Sequence, residues 1–218
     1  DVRWKYGTPP EGNANYAWMQ HMIHQLKPTG TAGIVLANGS LSSNTSNEGK
    51  IRQAMVDGDI IDCIIALPDK LFLTTGIPAC IWILNRNKSN PKHRKRDHET
   101  LFIDTRNMGT MIDRKLREFK PEDIEKIAKT YHSWRNIDGE YEDKKGYSKS
   151  AKLEEIAKHD YILTPGRYVG IAEEEGDGIP FEEKMEGLTK TLSEQFKKSS
   201  KLEEEIKNNL QSLGFEVL

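Results

Sequence analysis

The loop between two apolar runs of the sequence carries side chains that could hold a flat aromatic ring. It places Phe72 close to Thr75, Gly76 and Pro78, between the runs that end at Leu67 and begin at Ala79. An aromatic side chain on such a loop can stack on a nucleic acid base that has been swung out of a duplex. The alternative is that Phe72 fills the core beneath the loop, and residue type alone favours this alternative.

A second candidate is a cluster of positive charge. Six cationic residues occur between positions 86 and 96, namely Arg86, Lys88, Lys92, Arg94, Lys95 and Arg96. The asparagines and the proline among them predict a mobile loop. Such a loop could contact the phosphate backbone of DNA without reading its sequence, and we assign this role to Arg86, Lys88, Arg94 and Arg96. A solvated loop without a ligand is the alternative. The loop has no aromatic residue, which argues against a general single-strand-binding protein.

Other chemical motifs are weak or missing. Neither G-x-G-x-x-G nor the P-loop pattern occurs, so no phosphate-binding fingerprint is assigned. His21 and His24 have chelating spacing on a predicted helix but lack a third ligand, so no metal site is predicted. Cys63 and Cys80, the only cysteines, lie in apolar runs and are expected as buried thiols on neighbouring strands, which fits a reducing cytoplasm.

Composition limits the classes of protein to consider. The chain has 218 residues and a formal charge of -2, with 36% hydrophobic and 30% charged residues. This balance excludes a polycationic or acidic tail and predicts one core, with the other residues on solvated or partner-facing helices. The longest apolar runs fall far short of the roughly 18 residues that a membrane span needs. We therefore expect no membrane span and a cytoplasmic location.

The elements that position these residues follow an α/β pattern. A helix over 13–26, a strand over 32–37, a helix over 48–56 and a strand over 60–67 predict a parallel sheet. The 32–37 strand is expected to be covered on both faces because it is uniformly apolar. A strand over 79–84 follows after only about eleven residues, which predicts an antiparallel return at the edge of the sheet. A further strand is predicted over 100–104.

The second half of the chain is richer in helix and charge. Pro121 is expected to begin a helix with Ile124, Ile127, Ala128 and Tyr131 on one face, and a polar linker over 139–146 and a short helix over 152–158 follow. An acidic hinge is predicted from Glu173 to Gly178. Three regions are predicted. Residues 1–110 form part of an α/β catalytic domain, residues 111–178 form a helical and irregular connecting region, and residues 179–218 form a long amphipathic helix that docks on a partner.

The last predicted helix has an apolar stripe at heptad spacing. The stripe consists of Phe181, Met185, Leu188, Leu192, Leu202, Ile206 and Leu213. Such a helix is expected to pack on a partner in the manner of a coiled coil, with Leu188, Leu192, Leu202 and Ile206 as docking residues. The alternative is that the helix folds back on its own domain.

Several short strings together resemble the modification (methyltransferase) subunit of type I restriction–modification systems. The similarity runs along essentially the whole chain in the order of the family. The strings lie at 12–22, 26–30, 35–41, 51–52, 64–68, 71–79, 103–107, 160–161 and 165–169.

The resemblance implies an adenine-N6 DNA methyltransferase that uses S-adenosylmethionine on a Rossmann-like sheet. It also implies a complex with a specificity subunit that reads double-stranded DNA, which a restriction subunit can join. The family's glycine-rich cofactor motif and Asn-Pro-Pro-Phe catalytic motif are absent from these 218 residues and are expected upstream of Asp1. No catalytic or cofactor-binding residue is therefore assigned here, and the fragment alone is expected to be inactive.

By this resemblance, Phe72 with Thr75, Gly76 and Pro78 would lie near the target adenine. The loop after Asn38 would border the same cleft, and the last helix would dock on the specificity subunit. An unpaired edge of a half-sheet would also allow a homodimer. A non-catalytic docking module that only presents the last helix to a partner is the alternative function.

Overall fold

The structure is a computed structural model that describes residues 1–171 and 181–215. It divides into two units, Asp1–Ala172 and Glu173–Leu218, of which the first contains the sheet and the second a long helix. In the described ranges no helix is long and apolar enough to cross a membrane. The predicted hinge from Glu173 to Gly178 lies outside the described residues.

The helices and strands alternate through the first unit. The helices are α1 (Asn15–Gln25), α2 (Glu48–Asp57), α3 (Pro121–Arg135) and α4 (Leu153–Lys158), and α5 (Phe181–Ser212) forms the second unit. The strands are β1 (Thr31–Ala37), β2 (Ile61–Ala66), β3 (Ala79–Asn85), β4 (Glu99–Asp104), β5 (Thr110–Met111), β6 (Arg117–Glu118) and β7 (Ser148–Lys152). Short 3-10 turns occur at Asn38–Leu41, Thr45–Asn47 and Pro165–Arg167.

The main sheet is mixed and has the strand order β1-β3-β2-β4-β7. β3 is antiparallel to both β1 and β2, β2 is parallel to β4, and β7 is antiparallel to β4. The expected α/β class and the antiparallel direction of β3 are confirmed. Its expected position at the edge is wrong, because the reversed strand pairs with β1 on one side and β2 on the other. The antiparallel edge strand is β7, in a polar segment that was not predicted to be a strand.

β1 is the other edge strand, and the expectation that both its faces are covered is wrong. Its residues alternate between exposed and half-buried, and Val35 is 50% exposed. Ala32, Ile34 and Leu36 pack against the core from one face only. The outer edge of β1 has no strand partner in the described part of the chain. β2, by contrast, is buried along its whole length, as predicted.

Each face of the sheet carries its own core. On one face Tyr16, Met19 and Trp82 join Phe102, whose ring stacks on Tyr168 with 3.8 Å between centroids. On the other face Trp134 from α3 packs with Cys63 and its apolar neighbours.

Residues 111–171 belong to the same unit as the sheet, because α3 covers one face and β7 pairs with β4. They are therefore not a separate connecting region. On α3, Ile127 and Tyr131 pack on the second core as expected, whereas Ile124 is 57% exposed and Ala128 is also exposed.

The two cysteines are buried free thiols on the neighbouring strands β2 and β3, as predicted. Burial raises the pKa of Cys63 well above its ordinary value, with the charge of Asp62 adding to the effect, and burial also raises the pKa of Cys80. Because the thiolate is the reactive form, we predict that Ellman's reagent at pH 8 labels the folded protein about a hundredfold or more slowly than the urea-unfolded protein. Rapid labelling of either native thiol would contradict this burial.

Candidate functional site

The carboxyl ends of three strands lie together along one boundary of the main sheet. This boundary runs across the strand ends, from β1 to β4, and we call it the carboxyl edge. β1, β2 and β4 run in the same direction, because β1 and β2 are both antiparallel to β3 and β2 is parallel to β4. The segments that leave them begin at Asn38, Leu67 and Thr105. In open α/β sheets ligands bind outside the carboxyl ends of the strands, so this edge is the first place to look for a site.

A cleft of about 330 Å³ lies at the carboxyl edge, and we call it the strand-end cleft. Nine residues line the cleft, and none of them is charged. They are Val35, Leu36, Ala37, Phe72, Thr74, Thr75, Ile77, Pro78 and Ala79. The structure thus brings Phe72, Thr75 and Pro78 against the end of β1. An apolar opening of this kind suits an uncharged ring better than a charged group.

The loop that carries Phe72 is a tight turn. The Thr75 amide donates to the Phe72 carbonyl at 3.3 Å, and the Thr75 hydroxyl accepts from the Ile77 amide at 3.2 Å. Gly76 lies in the same turn, with its position open to solvent. Phe72 is 37% exposed and is not one of the buried core residues, while Leu73 at the tip is 88% exposed.

Asn38 joins this loop to the end of β1. Its amide donates to the Pro78 carbonyl at 3.4 Å. Its side-chain oxygen Oδ1 is buried and accepts no hydrogen bond from the described residues. A buried acceptor without a donor is costly, and this oxygen is one such acceptor at the carboxyl edge.

The 38–47 segment that follows β1 is held by a buried arginine on α2. Arg52 is fully buried, and its Nε donates to the Tyr161 carbonyl at 2.7 Å. Its other nitrogens donate to the Ser43 carbonyl at 2.7 Å and to Oδ1 of Asn44 at 3.0 Å. None of these partners is a carboxylate. The guanidinium therefore links α2, the segment after β1 and the chain near Tyr161 through oriented carbonyl groups.

Glu48, one turn earlier on α2, holds the same segment by accepting hydrogen bonds. Asn13 donates its Nδ2 to Glu48 at 2.7 Å, and the Ser43 hydroxyl also donates to this carboxylate. Glu48 is almost completely buried, so these donors compensate for the water that its charge has lost.

Tyr16 on α1 completes this support. Its hydroxyl donates to the Ser40 carbonyl at 2.7 Å. Burial raises the pKa of Tyr16 to about 12, with Arg52 opposing the shift, so the hydroxyl stays a donor at neutral pH. Trp82 adds a second hydrogen bond, from Nε1 to the Ser40 hydroxyl at 3.1 Å.

Sequence reasoning found no role for Arg52, Glu48 or Tyr16. A signal was present, since Glu48 and Arg52 lie four residues apart on the same helix face as Met55 and Val56. A charged pair on the buried stripe of an amphipathic helix indicates a buried polar network.

The cationic 86–98 segment lies at the opposite edge of the sheet. It connects the end of β3 to the start of β4, and the start of β4 lies at the amino ends of the parallel strands. Arg86, Lys88, Arg94 and Arg96 are therefore not beside the strand-end cleft.

Lys88 and Arg96 are also buried, which contradicts their expected phosphate contacts. Lys88 is 3% exposed, and its Nζ donates to Asp59 and to the Glu99 carbonyl, each at 2.7 Å. Burial lowers the pKa of Lys88, and the charge of Asp59 opposes that shift. Arg96 is fully buried and pairs with Asp62 at 3.2 Å.

The other two cations also have partners within the fold. Arg94 donates to the Trp134 carbonyl at 2.9 Å and pairs with Glu99 at 2.7 Å. Arg86 is exposed, and it donates to the Leu26 carbonyl at 2.6 Å. The expected mobile loop is thus a packed segment. Asp62 in an otherwise apolar run was the signal that a cation is required nearby.

The histidines form no metal site. In the part of the chain that the structure describes, no three His, Cys, Asp or Glu side chains are placed to hold a metal ion. His21 on α1 instead has its Nδ1 3.3 Å from the guanidinium of Arg3.

The fold of this chain is similar to that of solved methyltransferase subunits. The type I restriction–modification methyltransferase subunit from Streptococcus thermophilus matches 78% of this chain and 33% of its own, at 31% identity and a TM-score of 0.67. The M protein of the type I restriction enzyme EcoKI matches 88% of this chain and 44% of its own, with a TM-score of 0.58; at 18% identity it shows the fold alone.

The sequence places the chain in a family. The family model for N-6 DNA Methylase matches residues 1–177, and the chain belongs to this family.

Curated relatives are methylase subunits of type I restriction enzymes. The HindI methylase subunit of Haemophilus influenzae is 58% identical over 99% of this chain and 47% of its own length. The MjaIX methylase subunit of Methanocaldococcus jannaschii is 40% identical over 97% of this chain and 37% of its own length. The chain thus spans less than half the length of these two relatives.

The Arg52 network generates a stability prediction. Arg52→Ala should lower the free energy of unfolding by roughly 3 kcal/mol, because it leaves the buried carbonyls of Ser43 and Tyr161 without donors. Urea denaturation measures this change. Lys50→Ala, at an exposed position of the same helix, is the control and should stay within about 0.5 kcal/mol of the wild type. Equal stability of the two variants would show that the network contributes little.

Proposed function

We propose that this chain is the later part of an adenine-N6 DNA methyltransferase and works within the modification subunit of a type I restriction–modification system. The observation that carries the proposal is the 58% identity to the HindI methylase subunit along 99% of the chain. Membership of the N-6 DNA methylase family supports the same reaction. The sheet is then the later half of a Rossmann-like sheet, and strands from the rest of the protein pair with the open outer edge of β1.

The methyl donor in this proposal is S-adenosylmethionine, held by another part of the complete protein. The uncharged lining of the strand-end cleft does not fit a donor that carries a sulfonium, an ammonium and a carboxylate. The glycine-rich and Asn-Pro-Pro-Phe motifs are not in this sequence. We therefore assign neither cofactor contacts nor activation of the adenine amine to residues of this chain, and expect the isolated chain to be inactive.

The role of this chain in the reaction is to receive the target base. Phe72 is half-exposed beside the cleft, where its ring can stack on an adenine swung out of the duplex. The Thr75–Pro78 turn fixes the loop, and Asn38 offers a buried oxygen without a donor next to Ala37.

The partner of α5 in this proposal is the specificity subunit. The helix has 32 residues and is therefore about 48 Å long. The six residues of the apolar stripe that lie in α5 are exposed, from 46% for Met185 to 73% for Phe181, and Leu213 directly after the helix is also exposed. An exposed stripe of this length is stabilised by packing on another helix, as in a coiled coil. The specificity subunit would then read double-stranded DNA, and the restriction subunit would join the same complex.

The decisive test uses the complete protein with its specificity subunit. Duplex DNA carrying the cognate site is incubated with S-adenosylmethionine labelled in its methyl group, and the nucleosides are identified by mass spectrometry. Label in N6-methyladenine is the expected result. A complex that forms but transfers no methyl group would instead favour the non-catalytic docking module. The exposed stripe of α5 would be sufficient for that function.

The position of Phe72 leads to a second prediction. In the complete protein, Phe72→Ala should lower kcat/KM for DNA methylation by roughly 10- to 100-fold, because base–aromatic stacking contributes about 1–3 kcal/mol. Binding of S-adenosylmethionine, measured by calorimetry, should not change. Leu73→Ala on the same loop removes a more exposed apolar side chain and serves as the control. If Phe72→Ala lowers both measurements equally, its ring supports the fold and does not bind the base.

The apolar stripe of α5 leads to a third prediction. Leu188→Glu with Leu192→Glu should abolish co-purification with the specificity subunit, because two charges would be buried in the helix–helix contact. The control is Lys190→Glu with Lys197→Glu, which adds two glutamates on the opposite face of the helix. The melting temperature of each variant reports whether the first unit stays folded. Normal co-purification of the leucine variant would disprove the docking role.

A further inference from the structure

A small hairpin extends the carboxyl edge beyond β4. Its strands β5 and β6 pair through Thr110 with Glu118 and Met111 with Arg117. No strand was predicted from the sequence at these residues.

The hairpin is fastened to the loop that carries Phe72. The Arg117 amide donates to the Lys70 carbonyl at 2.8 Å, and the Arg117 side chain pairs with Asp69 at 3.5 Å. Its guanidinium also donates to the Met108 carbonyl at 3.1 Å. The hairpin is therefore bonded to the segment after β2 that leads into the wall of the strand-end cleft.

The tip of the hairpin is a hydrogen-bonded turn that carries two exposed cations. Oδ1 of Asp113 accepts hydrogen bonds from the amides of Lys115 at 2.6 Å and Leu116 at 2.8 Å, and the Ile112 amide donates to the Leu116 carbonyl at 2.9 Å. Arg114 and Lys115 are exposed between these bonds. Within the described residues neither side chain lies in an ion pair with a carboxylate. Their charges remain available to a ligand.

Both edges of the sheet contain cations that pair with carboxylates of the fold. At the amino edge these are Lys88, Arg94 and Arg96, and at the carboxyl edge they are Arg106 and Arg117. Arg114 and Lys115 differ from these paired cations within the described residues, because they are exposed at the carboxyl edge, where the strand-end cleft also lies.

We propose that the β5–β6 hairpin is a DNA-backbone clamp, in which Arg114 and Lys115 contact phosphates beside the base that enters the strand-end cleft. The inference rests on the proposed function. It assigns the contact with the DNA backbone to the hairpin and not to the cations at 86–96. Arginine and lysine at a turn bind phosphate oxygens without reading bases, so the contribution to affinity is the same for every DNA sequence. Each phosphate contact also releases counterions and steepens the salt dependence of binding.

The test measures DNA affinity at several salt concentrations in the complete protein bound to its specificity subunit. The double variant is Arg114→Ala with Lys115→Ala. The slope of log K against log salt should become shallower by about 2, since each phosphate contact contributes about 0.9. Between 50 and 200 mM salt, the wild-type Kd should therefore rise about tenfold more than the Kd of the variant. The loss should be equal for cognate and non-cognate duplexes.

A matched control removes the same charge from the other edge of the sheet. Lys92→Ala with Lys95→Ala changes two exposed lysines of the 86–98 segment and should leave the wild-type slope unchanged. A hairpin variant with the wild-type slope would overturn the clamp. A hairpin variant that keeps the wild-type slope but no longer binds the specificity subunit would also overturn the clamp, because the hairpin would then contact that subunit and not DNA. If the wild-type complex binds DNA but methylates no adenine, the proposed function is refuted. The clamp would still be supported if the hairpin variant had a shallower salt dependence than the wild type.

Discussion

The buried guanidinium of Arg52 is the interaction on which the shape of the carboxyl edge depends. A charge without water must be surrounded by oriented acceptors, and Arg52 takes them from Ser43, Asn44 and Tyr161. These acceptors are far apart in sequence, so they meet only when α2, the segment after β1 and the chain after α4 are all in place. Asp160 and Tyr161 both have a φ of 54°, a left-handed conformation that is unfavourable for residues other than glycine. The bond from Arg52 to the Tyr161 carbonyl helps to hold that conformation, and in turn this segment holds the loop that borders the cleft.

The opposite edge shows how the same residue types serve a different purpose. Asp62 is fully buried in β2 and accepts hydrogen bonds from Arg96 at 3.2 Å and from the Tyr131 hydroxyl at 2.7 Å. Its charge raises the pKa of Tyr131 beyond the rise that burial causes, so that hydroxyl remains a donor. At this edge Arg96 pairs with a buried carboxylate inside the fold. No carboxylate lines the strand-end cleft, which leaves an apolar opening at the carboxyl edge.

Much of the fold could be predicted from the sequence, and the failures have physical causes. Apolar runs located β2, β3 and β4, and the short link between β2 and β3 correctly required an antiparallel return. The run at β1 does not reveal how many faces are covered, because Ala, Gly and Val tolerate both burial and exposure. β7 has the sequence SKSAK, in which only Ser148 and Ala151 are buried, so its strand depends on pairing with β4. The cations of the 86–96 run could be recognised in the sequence, but their partners could not, since Asp59 and Asp62 lie about 30 residues earlier in the chain, in the turn before β2 and on β2 itself.

The place of the candidate site follows from the position of β3. Because β3 lies between β1 and β2 and runs antiparallel to both, the link from β2 enters β3 directly beside the carboxyl end of β1. The register that opposes Ala37 to Ala79 then sets Asn38 beside Pro78 and brings the turn with Phe72 over the same point. The family strings at 35–41 and 71–79, which are distant in sequence, are therefore two walls of one opening, and the insertion of β3 is the physical reason that they meet.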